Sequence, residues 1–140
     1  MHAMPVKRLY QLPRERRRAL FRAVATLTAA SAAVALLPFR MAIRFGSIPL
    51  KARGTLSPED CVWAIDAASR RLAWPTLCIQ KGLAAQRMLR SDGVDAVLHY
   101  GARRKAGSGN LEAHVWVSVG GIVIVGGEEA DGFAEVAVFP

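Results

Sequence analysis

CIQKGLAAQRMLRSDGVDAVLHYG, residues 78–101, decides the fold, because the apolar spacing changes inside it from a helical period of about 3.6 to a strand period of about 2. Ile79, Leu83, Gln86 and Leu89 fall along one side of a helix, and Leu77, Ala84 and Met88 widen that stripe. Asp92-Gly93 supplies the stop, since glycine accepts the left-handed backbone that ends helices. Gly82, inside the helix, costs about 1 kcal/mol relative to alanine and signals close packing against a neighbouring element. From Ala96 to Gly101 the chain reads as a strand, RRKAGSGN (103–110) as an exposed turn, and LEAHVWVSV (111–119) as a second strand. Gly120-Gly121 marks a tight hairpin into Ile122–Val125, and a short strand from Glu135 to Phe139 completes the sheet.

Working outward towards the N-terminus, Ser57-Pro58-Glu59-Asp60 is a helix start. Serine caps, proline takes the first position where its missing N–H costs nothing, and two acids face the positive end of the helix dipole. Val62, Ile65, Ala68, Ser69 and Leu72 recur at helical spacing, which predicts a helix to about Leu72. RFGSIPLKARGTL (44–56) reads as a linker or irregular crossing. Ahead of it, ALFRAVATLTAASAAVALLPF (19–39) is the most apolar segment, with 17 uncharged residues from Ala23 to Phe39. Half are Ala, Ser or Thr, which favours a helix packed on its own domain or on a partner; membrane association and a signal sequence stay open. Helices first and an antiparallel sheet after them make an α+β fold. Residues 1–53 form a basic, apolar helical N-terminal extension, and residues 54–140 form the core of one compact domain.

The net charge of +8 is a property of the first third: residues 1–53 carry 11 Lys/Arg and one acid, whereas residues 54–140 are slightly acidic. RERRR (14–18) lacks interleaved aromatics and any zinc-finger or glycine-rich RNA-binding signature, so no nucleic-acid partner is expected. The two cysteines, Cys61 and Cys78, make no disulfide framework and no metal-ligand spacing, which points to a reduced, cytoplasmic setting without a metal. No phosphate-binding loop is visible, and no cofactor is expected.

Cys78 stands in the first turn of its helix, where unpaired N–H groups favour thiolate over thiol and could receive the oxyanion of a tetrahedral intermediate. His114, mid-strand in an apolar run, is the candidate base; a helix-borne cysteine and a strand-borne histidine can meet across a helix-on-sheet interface. Taken singly, each is more often a core cysteine or a satisfied structural histidine. His99 on the adjacent strand is a competing base.

The run WPTLCIQKGLAAQRMLRSDGVDAVLHYGARR (74–104), followed by LEAHVWVSVGG (111–121) and preceded by LPRERRRALFRA (12–23) and LLPFR (36–40), resembles the transglutaminase-like B-protein leader peptidases of lasso peptide biosynthesis. The resemblance covers nearly the whole chain. It implies a papain/transglutaminase-like fold whose Cys-His-Asp triad cuts the leader from a ribosomally made precursor peptide, with Cys78 the nucleophile and His114 the general base. The Asp expected on the following strand falls on Gly126, so the third member is open. Glu128 is the first choice; Glu129, Asp131, a backbone carbonyl or a diad with no third member are the others, and GGEEAD equally reads as a solvated acidic loop. Trp116 shares the face of His114 and either shields the imidazole or fills the core, while Trp74 lines the cleft or anchors the loop. The resemblance further implies a stand-alone peptidase, dependent on a separate leader-recognition protein and followed by a macrolactam cyclase. Acyl transfer in the transglutaminase manner, and a non-catalytic adaptor or membrane-associated binding protein, are the alternatives.

Overall fold

The computed structural model describes residues 6–140. A short helix α1 (Val6–Gln11) leads through Pro13 into the long α2 (Arg14–Leu36), which turns at Pro38 into α3 (Phe39–Ala42) and a 3-10 turn, Ile43–Phe45. The end of α2 is dictated locally: Leu37 precedes a proline and is extended (φ −111, ψ 150). Irregular chain follows to α4 (Pro58–Ser69), then α5 (Cys78–Ser91), β1 (Ala96–Arg104), β2 (Leu111–Val119), β3 (Ile122–Val125), a single-turn helix α6 (Gly127–Ala130) and β4 (Ala134–Phe139). The four strands form one antiparallel sheet in the order β3-β2-β1-β4, so the fold is α+β.

The predicted caps are present. Ser57 accepts a hydrogen bond from the Asp60 N–H at 3.2 Å. Past α5, Gly93 takes a left-handed φ of 74°. α4 ends at Ser69, short of Leu72, because the chain tightens where the Arg71 and Leu72 N–H groups both bond the Ala68 carbonyl, ahead of Trp74-Pro75. β1 runs three residues beyond Gly101, since its pairing with β2 continues to Arg104↔Leu111.

The core lies between three helices and the sheet. α2 buries Ala19, Leu20, Ala23, Leu27, Ala30 and Ala33, a stripe at helical spacing whose small residues let it approach the alanine-rich face of α4. The apolar N-terminal segment is thus part of the shared core. By length and composition α2 is also long and apolar enough to cross a membrane, with a mean hydropathy of 1.7. Arg16 binds Asp60 at 3.0 Å and lies over the Trp63 ring, joining α2 to α4 on the surface. α5 sits directly on the sheet: a Cβ at Gly82 would stand 3.0 Å from Leu98 and 3.1 Å from Val115. Gln86, fully buried in the same helix, donates to the carbonyl of Phe139 at 2.6 Å and pins the end of β4.

Candidate active site

Cys78 is the first residue of α5 and is half-buried. Leu77 occupies the cap in an extended conformation, and its own N–H donates to Gln80 Oε1 at 2.6 Å, which folds the first turn back on itself. The N–H groups of this first turn, to which Cys78 belongs, have no intrahelical partners. Cys61, by contrast, is fully buried in α4 against the Ala85 carbonyl, and burial pushes its thiol up to about 12.

His114 lies on β2 with 5% of its surface exposed. The contacts of Gly82 show Val115 and Val117 facing α5, so the even-numbered residues His114, Trp116 and Ser118 point to the other face of the sheet. The expected meeting across the helix-sheet interface is corrected accordingly: cysteine and histidine approach the same cleft from the two sides of β2. The cleft exists because β3 pairs only with Val117–Val119, leaving the edge of β2 at residues 113–116 without a strand partner. Cys78, Ala113, His114 and Gly126 all line this opening of about 990 Å³. No hydrogen bond joins the Cys78 thiol to the imidazole among the described residues.

The imidazole is held from the chain that leaves β3. Gly126, with φ 77°, turns the backbone over the open edge, and its carbonyl lies 2.8 Å from His114 Nε2. A carbonyl can only accept, so Nε2 carries the proton and Nδ1 is the nitrogen free to take one. A Cβ at Gly126 would come within 2.8 Å of the Val115 carbonyl and 3.2 Å of His114 Nε2, so the bond needs glycine on both conformational and steric grounds.

The sequence profile of the transglutaminase-like superfamily matches residues 9–138, nearly the whole chain, with the helix of Cys78 and the strand of His114 inside it. The chain belongs to the transglutaminase-like superfamily. That superfamily includes cysteine peptidases and acyltransferases, and the α+β architecture agrees with it. No curated protein and no solved structure matches the chain.

Within this transglutaminase-like core, the other residues singled out from the sequence are distributed unevenly. Glu128 lines the cleft, but the carboxylate nearest His114 belongs to Glu129, 3.7 Å from Nδ1 and 74% exposed. The reason is local: Gly126 to Ala130 form a helical turn, which points successive side chains about 100° apart and carries Glu129 rather than Glu128 over the ring. GGEEAD is thus a solvated acidic turn that meets the imidazole through the Gly126 carbonyl and Glu129. Trp74 is away from the cleft lining, its indole N–H bonding Ser31 Oγ on α2 at 3.0 Å, in keeping with its loop-anchoring role. Trp116 is 8% exposed and stacks on His114, centroids 6.1 Å apart, so it backs the imidazole. Asp131 makes no ion pair with His114 among the described residues.

Sequence reasoning missed Phe133, whose ring lies 5.2 Å from that of His114, and Arg103, which covers Phe133 at 4.3 Å. Neither has a local signal, because both depend on how the segment after β3 folds back. His99 was visible as a competing base, but its partners are Glu135 and Ser118.

Proposed function

We propose that this protein is a cysteine peptidase that removes the leader from a ribosomally made lasso precursor peptide. The observation that carries the proposal is the shared cleft of Cys78 and His114, with His114 Nε2–H donated to the Gly126 carbonyl. In this reading Nδ1 takes the thiol proton of Cys78, and the exposed carboxylate of Glu129 faces the imidazolium that results. The thiolate attacks the scissile carbonyl, and the free N–H groups at the start of α5 receive the oxyanion. Nδ1–H then protonates the departing amine, and water hydrolyses the thioester with His114 again as base. The role of the third triad member falls to a backbone carbonyl, which fixes the tautomer without a charge. The choice of a lasso precursor rests on the matching segments around Cys78 and His114 and at residues 12–40; it carries with it a separate leader-recognition protein and a macrolactam cyclase as partners.

The test is incubation of the precursor peptide with this protein and the recognition protein, read by mass spectrometry. Wild type releases the leader with gain of one water, whereas Cys78→Ala releases none while keeping its circular dichroism. Release by Cys78→Ala at the wild-type rate removes the proposal, and a product linked to an added amine replaces hydrolysis by acyl transfer.

A further inference from the structure

The geometry points to Glu135 and His99 as positioning residues for His114, acting through Trp116; the inference rests on His114 being the base proposed above. Across the register of β1 and β2, His99 stands opposite Trp116 and Gly101 opposite His114, so these residues share the sheet face away from α5. The His99 ring is fixed at both nitrogens. Glu135, on β4, accepts a close hydrogen bond from Nδ1–H, which leaves Nε2, 2.7 Å from Ser118 Oγ, as the acceptor of the serine hydroxyl. So held, the ring lies 5.6 Å from Trp116 at an interplanar angle of 3°, and Trp116 in turn lies 6.1 Å from His114 at 25°. These separations are those of rings in stacking contact. On its other side His114 meets Phe133, itself covered by Arg103, which Glu112 holds at 2.8 Å.

Trp116 can lie flat because residue 101 has no side chain: a Cβ there would stand 2.7 Å from the indole ring. The row Glu135, His99, Trp116, His114 therefore crosses three strands, β4, β1 and β2, and ends at the ring that faces the cleft. Ser118, His99 and Glu135 also have the order of a serine hydrolase relay. Ser118 is only 6% exposed, however, so no substrate carbonyl reaches its hydroxyl, and the trio acts as a mount. Its consequence is angular. One hydrogen bond to Gly126 leaves the imidazole free to tilt about the bond, and the stack removes that freedom, which general-base catalysis requires.

Iodoacetamide alkylation of Cys78 tests this without a substrate, with labelling of each cysteine quantified by peptide mass spectrometry across pH. A His114→Gln variant defines the rate without a base. Glu135→Gln leaves an exposed edge strand folded, and buried Cys61 reports any unfolding by becoming labelled. The expected result is that Glu135→Gln and His99→Phe slow Cys78 alkylation about tenfold near pH 6, where the reaction depends on the base, and leave it unchanged near pH 9, where hydroxide replaces it. Glu135→Asp, which keeps the carboxylate, restores most of the rate at the lower pH, whereas a purely structural role would give equal losses at both. Wild-type profiles in Glu135→Gln and His99→Phe, with His114→Gln slowed, overturn the positioning role alone. A wild-type profile in His114→Gln overturns the base assignment on which it rests.

Discussion

At the scale of the residue, Cys78 and Cys61 have the same chemistry and opposite surroundings. One lies at the start of a helix on an open cleft; the other is sealed between α4 and α5, with its thiol pushed up to about 12 by burial. Iodoacetamide at neutral pH should label Cys78 at least about tenfold faster than Cys61, as peptide mapping would reveal. Equal rates would mean that the interior around Cys61 opens readily. The two neighbouring glutamates differ in the same way. Because Glu129, not Glu128, faces His114 Nδ1, Glu129→Gln should lower the cleavage rate about threefold, the modest effect appropriate to an exposed charge, while Glu128→Gln stays near wild type. Steady-state kinetics on the two variants, side by side, distinguishes them. A larger loss in Glu128→Gln would return the third position to that residue.

At the scale of the element, the site depends on where β3 stops. Four residues are enough to pair with Val117–Val119 and no more, so β2 keeps an open edge over which Gly126 turns. The sequence marked this position through the missing Asp, and a backbone carbonyl was among the candidates it left open; the identity of the bond needed the path of the chain after Val125. Gly126→Ala adds a methyl against the Val115 carbonyl and strains a positive φ. It should reduce cleavage by more than about tenfold through displacement of His114, with a stability loss of about 1–2 kcal/mol in urea unfolding. Activity retained in that variant would show that the carbonyl bond is dispensable. The predicted elements themselves were legible because periodicity, caps and turn glycines agree: Ser57 and Gly93 mark helix ends and Gly120-Gly121 marks the hairpin. The face of β2 that meets α5 was not, because alternation says which residues share a side but not which side is covered.

At the scale of the molecule, α2 is joined to the rest by apolar packing and by one polar knot. Leu27 is fully buried, and Leu27→Ala should cost about 3 kcal/mol in chemical denaturation, whereas Phe21→Ala, on the 58% exposed side chain of the same helix, should cost little. Similar small losses at both would mean that α2 is not a core helix in solution. The knot is Asp92, which accepts from Arg22 on α2 at 2.8 Å and from the Leu56 N–H at 2.9 Å, tying α5 to both the first helix and the linker. Burial alone pushes its carboxyl up, but the hydrogen bonds from Arg22 and Leu56 and the guanidinium charge outweigh it and hold it below the ordinary 3.8. A depressed folded value means that the stabilisation is complete above about pH 3.8 and is lost as pH falls through the folded value. Asp92→Asn should therefore destabilise by about 2 kcal/mol at neutral pH, with the gap to wild type closing below about pH 3.8. A gap that stays constant down to pH 3 would assign the loss to geometry instead of charge.

By itself the sequence determined the elements, their order and the α+β class, because all of these rest on interactions within a few residues or on a repeating period; Cys78 and His114 were singled out as a pair by the resemblance of the segments around them. The tertiary structure alone decided that α2 shares the core, that His114 leans on the face away from α5, that Gly126 supplies the carbonyl and Glu129 the nearest charge, and that His99 is bound to Glu135. Each of those contacts joins residues that only folding brings together: the carbonyl depends on the end of β3, and the Glu135 pairing on β4 returning beside β1. Local propensity carries no information about such distances, whereas packing and register leave little freedom in them.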